Sequence, residues 1–197
     1  MGDLPVPPVE AGAQERLRDR LSTAAEREGL LDVAFRAVET PVGELLLAAT
    51  PEGLVRVAYD EHERVLAELA RAISPRVLRC ERRLDESWRQ LDEYFAGRRT
   101  DFDLALDFRL SRGFRRAVLE QLRGIGYGST SSYAQVAAAA GSPRAVRAVG
   151  TACAVNPLPV VVPCHRVVRS DGSPGAYAGG PRAKRLLLAL ERGGEES

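Results

Sequence analysis

The chain has 197 residues, 45% of them hydrophobic, which suffices to bury one full-sized core or two small ones. It has no run of about 18 apolar residues, and its start, Met1-Gly2-Asp3-Leu4-Pro5, carries an acid where an export signal carries basic residues. Neither a membrane span nor a signal peptide is expected, and a cytoplasmic location is. The net charge of +1 hides an asymmetry: residues 1–108 hold 15 Arg against 22 Asp and Glu, a net of −7, whereas residues 109–197 hold 12 Arg and one Lys against 5 acids, a net of +8. The basic half reads either as solvated surface or as a face turned toward an anionic polymer.

Residues 1–30 form an N-terminal extension. Pro5, Pro7 and Pro8 resist regular structure. Residues 11–28 suit a helix, with Leu17, Leu21 and Ala24 on one face and Gly29 as its stop, and suit a disordered or loosely docked arm equally well. Residues 31–108 predict a small α/β domain. Val33–Val38, Glu44–Ala49 and Leu54–Tyr59 are short Val- and Leu-rich runs, separated by Pro41-Val42-Gly43 and Pro51-Glu52-Gly53, and so read as a three-stranded antiparallel meander. Helical spacing comes next at Val65, Leu66 and Leu69 within Glu61–Ala72, and at Trp88, Leu91 and Phe95 within Asp85–Phe95, stopped by Gly97. His62, between two glutamates, reads as an exposed residue at a helix start.

From Arg109 to residue 193 the pattern is mostly helical, and residues 194–197 are a tail. Ser111–Arg123 predicts a helix with Phe114, Val118 and Leu122 inward, and Gly124-Ile125-Gly126-Tyr127-Gly128 a flexible turn. A short Ala-rich helix spans Ser132–Ala140. Gly141-Ser142-Pro143 then breaks the pattern, with Ser142 placed to cap a further helix, Arg144–Ala154, and Pro143 in its first turn. Two short helices joined by a tight turn make a helix-turn-helix outline. On its own the outline is weak, but Arg144, Arg147 and the basic half strengthen it.

The three cysteines, Cys80, Cys153 and Cys164, are too few and too scattered for a disulfide framework. With no Cys-x-x-Cys pair and only His62 and His165, no metal site is expected. Buried small residues are the ordinary fate of lone cysteines, and that reading suits Cys80 and Cys153. Cys164 differs. Asn156-Pro157-Leu158-Pro159-Val160-Val161-Val162-Pro163 precedes it and reads as a stiff apolar strand, and His165-Arg166-Val167 comes directly after it. A thiol needs a neighbouring base or positive charge to become a useful nucleophile at neutral pH. Adjacent residues on an extended strand face opposite ways, so strand geometry alone does not assure a direct contact between His165 and Cys164, and a bridging water is one solution.

Pro163-Cys164-His165-Arg166-Val167 resembles the active-site signature of the methylated-DNA–protein-cysteine methyltransferases, also called O6-alkylguanine-DNA alkyltransferases. The similarity runs through Phe114, Tyr133, Arg147-Ala148-Val149-Gly150, Asn156-Pro157, Gly175-Ala176-Tyr177-Ala178-Gly179-Gly180, Lys184, Leu187 and Glu191. In the N-terminal half it includes Pro41-Val42-Gly43 and Tyr94-Phe95-Ala96-Gly97, so it covers about residues 31–193. The resemblance implies an α+β fold: an N-terminal α/β domain with an antiparallel, ribonuclease-H-like sheet, then a helical domain with a winged-helix-like helix-turn-helix.

The resemblance also implies a reaction. Cys164 would take the alkyl group from O6 of guanine, and from O4 of thymine, in one irreversible turnover without a cofactor. His165 would be the base, Glu191 its orienting acid, Asn156 the hinge between DNA-binding helix and active site, and Tyr133 the proton donor to the departing base. Arg147 would replace the extruded nucleotide, with Tyr133, Ala148, Gly150 and Ser142 also at the DNA face. Val167, Tyr177, Ala178, Gly179 and Lys184 would form the pocket. The implied partner is double-stranded DNA containing O6-alkylguanine, bound by a protein that is monomeric in solution, with cooperation along DNA left open. Gly126 and Pro174 depart from the family pattern, which puts proline at the first position and a larger aliphatic residue at the second. The alternatives are a non-catalytic alkyltransferase-like lesion binder, against which Cys164 argues, and an unrelated Cys-His hydrolase, in which Arg147 would have no purpose.

Overall fold

A computed structural model describes residues 12–59 and 61–193. The chain runs α1 (Ala13–Arg27), β1 (Val33–Val38), β2 (Leu45–Thr50), β3 (Gly53–Ala58), α2 (His62–Ala72), β4 (Val77–Arg79), α3 (Asp85–Phe95), α4 (Phe114–Leu122), β5 (Ser131–Ser132), α5 (Tyr133–Ala139), α6 (Val146–Ala154), β6 (Val167–Val168) and α7 (Gly180–Glu191), with short 3-10 turns at Arg82–Leu84 and Cys164–Arg166.

The expected meander is present, and a fourth strand extends it. The order is β3-β2-β1-β4, with β4 parallel to β1, so the sheet is mixed rather than purely antiparallel. β4 has only three residues, too short to display alternation. β2 is central and buried along its whole length, and its two faces serve different clusters. Leu46 and Ala48 join Val33, Val55, Val65 and Leu69 under α2. Leu45, Leu47 and Ala49 point to the other face, as the period of two requires. There they join one core that runs through Leu91 and Tyr94 of α3 into Val118, Val149, Val162 and Leu187. The core is therefore continuous across residue 108.

The sheet edge is the join. Ala49 pairs with Leu54 and Ala48 with Arg56, leaving Val55 as a bulge. An extra residue reverses which backbone groups face outward, so Leu54 and Val57 both use the free edge. Leu54 donates to the Ala105 carbonyl (2.9 Å) and accepts from the Asp107 amide (2.8 Å), and Val57 donates to the Pro157 carbonyl (2.7 Å). Thr50 adds a buried hydroxyl bond to Asp107, at 2.6 Å. An edge that would otherwise invite another chain is thus closed from within.

The N-terminal helix forms, but not with the expected face inward. Leu17 and Leu21 are 66% and 57% exposed, and Ser22 and Ala25 are the buried positions. His62 is also corrected: it is half-buried, with Nδ1 3.2 Å from Glu44.

In the second half α4, α5 and α6 pack on one another. α5 starts at a full capping box: Ser132 Oγ accepts from the Gln135 amide, and Gln135 Oε1 accepts from the Ser132 amide at 2.7 Å. The next helix starts later than predicted. Ser142 does not cap it with its side chain; its carbonyl accepts from the Ala145 amide in a turn, and α6 begins at Val146. Arg144 therefore lies in that turn, with Arg147 in the first turn of the helix. A two-residue parallel pair, Ser131 with Val167 and Ser132 with Val168, brings the start of α5 beside the segment that comes after Cys164.

Candidate active site

The segment before Cys164 is not a strand. Residues 158–162 form turns, with Val160 at φ 73 and the Val162 amide bonded to the Leu158 carbonyl. Three β-branched residues between prolines suggested extension, but their burial in the common core, where Val160, Val161 and Val162 all contribute, overrides that preference. Cys164 opens a 3-10 turn, so His165 is not forced to the opposite face as it would be on a strand.

Asn156, just past the end of α6, organises this segment. Its Nδ2 donates to the Val162 carbonyl at 2.9 Å and to Cys164 Sγ at 3.2 Å, and its Oδ1 accepts from the Leu158 amide at 3.0 Å. Every hydrogen-bonding group of the amide has a partner. Cys164 is buried, and burial pushes its thiol up to about 11, against the lowering effects of the Asn156 bond and of Lys184. Cys153 is pushed up to about 12, again chiefly by burial.

His165 is fully enclosed, and its Nε2 lies 2.8 Å from Glu191 Oε1. Glu191, at the end of α7, also accepts from Arg166 Nε (2.9 Å) and Nη2 (2.9 Å), from the Tyr94 hydroxyl (2.6 Å) and from the Gly128 amide (3.2 Å). Burial raises this carboxyl, but the bonds from His165, Arg166 and Tyr94 outweigh it and hold it at about 2. An ionised carboxylate only accepts, so the His165 proton sits on Nε2 and Nδ1 carries the lone pair. Nδ1 is buried and has no partner among the described residues. Burial also lowers the His165 pKa, against the raising effect of Glu191, so the ring is neutral near pH 7.

Arg166 and Tyr94 stand in the motifs quoted from the sequence, but nothing there assigns either of them to Glu191. Arg166 binds Glu191 through two nitrogens, donates to the Ile125 carbonyl and lies over the Tyr127 ring. The glycine-rich turn is therefore anchored rather than loose, and Tyr127 adds a bond to the Leu190 carbonyl at 3.2 Å. The signals were Arg166 next to His165 and the Tyr94-Phe95 pair in the N-terminal half, but the carboxylate that Tyr94 meets lies 97 residues away.

The remaining residues gather around this centre. Lys184 is fully buried and donates from Nζ to the Val167 carbonyl at 2.6 Å. Tyr133 lies beside two glycines: a Cβ at Gly150 would only touch its ring, but a Cβ at Gly175 would overlap the Tyr133 hydroxyl. Burial raises the Tyr133 pKa, with Cys153 and Cys164 acting in the same direction. Tyr177 is buried with its ring edge-on to His165, while Ala178 is exposed. The loop before it is held by a Val168–Pro174 bridge and by Asp171 capping Ser173.

Arg147 and Ala148 are exposed on α6, whereas Val149, Ala152 and Cys153 face the core. The charge asymmetry sharpens in the structure. Among the described residues, nine arginines up to residue 108 pair with carboxylates. In residues 109–193 only Arg109, Arg116 and Arg166 do so among the described residues. The arginines beyond residue 108, Arg147 included, are therefore mostly uncompensated.

Two family models match the chain: the ribonuclease-like domain of 6-O-methylguanine DNA methyltransferase over residues 33–108, and the DNA binding domain of the same enzyme over residues 113–193. The methylated-DNA–protein-cysteine methyltransferase of Mycolicibacterium paratuberculosis is 40% identical over 160 residues, which is 81% of this chain and 93% of that protein. The crystal structure of Mycobacterium tuberculosis O6-methylguanine methyltransferase superposes with a TM-score of 0.69 at 34% identity, over 84% of this chain and 96% of that one. A structure of Mycobacterium tuberculosis OGT in complex with DNA gives 0.71 at 34% identity, over 83% and 96%.

Proposed function

The chain belongs to the 6-O-methylguanine DNA methyltransferase family, and from that premise we propose that it repairs O6-alkylguanine in duplex DNA by moving the alkyl group onto Cys164. The observation that carries this reading is the orphaned Nδ1 of His165, a buried lone pair next in sequence to a buried thiol and fixed in tautomer by Glu191. A thiol pushed up to about 11 is almost wholly protonated at neutral pH, so it needs a base at the moment of attack.

In the proposed reaction the Cys164 proton passes through a water to Nδ1 of His165. The sulfur forms a bond to the alkyl carbon as the carbon–O6 bond breaks, and guanine leaves with the bonding pair. Tyr133, kept protonated by burial, supplies a proton to the departing base. Glu191 stabilises the imidazolium that forms, and Arg166 and Tyr94 hold Glu191 in place. The product thioether is beyond thiol exchange, so each molecule acts once. The target atom must leave the base stack to reach an enclosed sulfur, and Arg147 on the exposed face of α6 is the candidate to fill the gap. The same chemistry extends to O4-alkylthymine.

The test is stoichiometric. Protein mixed with a duplex containing O6-methylguanine should gain one methyl group on the Cys164 peptide, and excess lesion should remain. Transfer by Cys164→Ser, or lesions repaired in excess of protein, would refute the reading.

A further inference from the structure

Tyr59 comes directly after the last residue of β3 and packs on residues 175–180, the reactive loop that follows the Cys164 segment. Its hydroxyl lies 2.7 Å from that of Tyr177, and the two rings meet edge to face with centroids 5.7 Å apart. The Tyr59 ring also covers Gly179, where a Cβ would stand 2.5 Å from Cε1 and Cζ. Only glycine permits that approach. Two residues earlier, the Val57 bond to Pro157 ties the same strand to the segment beside Asn156. Burial pushes both phenols up, so the pair is neutral, one hydroxyl donating and the other accepting. Tyr177 in turn meets His165 edge to face, with centroids 6.1 Å apart.

We propose that Tyr59 is a specificity-determining positioning residue, a latch on Tyr177 that sets how far the reactive loop retreats to admit the O6 substituent of the target base. This rests on the alkyl-transfer reading and adds to it a basis for discrimination by alkyl size. Cys164 is enclosed in the common core, so a substituent reaches Sγ only as the loop yields. A methyl group makes the smallest demand. A bulky group moves Tyr177 further and breaks the hydroxyl pair, a loss worth about fivefold in rate for one buried neutral hydrogen bond.

The experiment compares single-turnover rates on duplexes carrying O6-methylguanine and O6-benzylguanine. Tyr59→Phe keeps the ring on Gly179 and removes only the hydroxyl; Tyr59→Leu removes both. The benzyl-to-methyl rate ratio should rise about fivefold in the first variant and at least as far in the second, whereas a merely structural role would slow both substrates together. Failure of the wild-type protein to transfer either group would overturn the alkyl-transfer reading, and the latch with it. Transfer by the wild type with an unchanged ratio in both variants would overturn the latch alone.

Discussion

Asn156 and Cys164 are joined by a hydrogen bond from Nδ2 to Sγ of 3.2 Å, and the same amide group holds the turn that presents the thiol. Asn156→Ala would leave the Leu158 amide buried without a partner, at about 1–3 kcal/mol, while the Val162 carbonyl keeps its bond from the Cys164 amide at 2.8 Å. The substitution would also remove a bond that holds the thiol down. The urea midpoint should therefore drop, and thiolate absorbance should develop at higher pH than in the wild type. A variant with unaltered thiol ionisation would separate Asn156 from the chemistry.

The lowered pKa of His165 sets the pH dependence of transfer. An ordinary imidazole is half protonated at about pH 6.5 and loses half its capacity as a base there. Here burial favours the neutral ring, so the single-turnover rate should stay level through pH 6.5 and fall only in more acidic solution. In His165→Gln the rate should instead climb with pH toward the thiol value of about 11. A wild-type rate already halved at pH 6.5 would contradict the assignment.

Stability should fall in acid in two stages, both with the same sign. His165 binds its proton more readily in the unfolded chain, so its contribution is full above about pH 6.5 and declines below it. Glu191 is held at about 2 against an ordinary value of 4.5, so its contribution is present above pH 4.5 and is lost between there and pH 2. Urea midpoints measured from pH 8 to pH 3 should show both declines, and His165→Asn should lack the first. A flat midpoint from pH 7 to pH 5 would refute the first stage.

Arg147 is exposed and makes no ion pair among the described residues. Arg147→Ala should leave the melting temperature nearly unchanged, within about 0.5 kcal/mol of stability. It should weaken binding to lesion duplex and lower the slope of log affinity against log salt by about one. Equal affinity and equal slope would remove Arg147 from the DNA face.

The elements with strong local patterns were legible in the sequence. The hairpins around Gly43 and Gly53 and the helices holding Leu69 and Leu91 came from spacing alone. What failed depended on distant partners. Leu17 and Leu21 gave a plausible apolar face, yet α1 turns Ser22 and Ala25 inward. The Val160–Val162 run has strand composition but is folded into turns by its packing in the shared core. The chemistry of Cys164 and His165 was visible as residue types. Glu191, 26 residues beyond His165, came only through family resemblance. Arg166 and Tyr94 gave no local sign of their shared carboxylate, because ion pairing across the fold leaves no periodicity.

β3 is laced to Ala105, Asp107 and Pro157, and Tyr94 reaches from α3 to Glu191 in α7. The segment between the halves is thus no hinge. On the proposed reading, a duplex would meet two halves locked together, with only the loop around Tyr177 giving way, and the work of distortion would fall on the nucleic acid. Discrimination between damaged and intact DNA would then draw on how easily the duplex itself opens: a weakened base pair would yield to locked halves sooner than a sound one would.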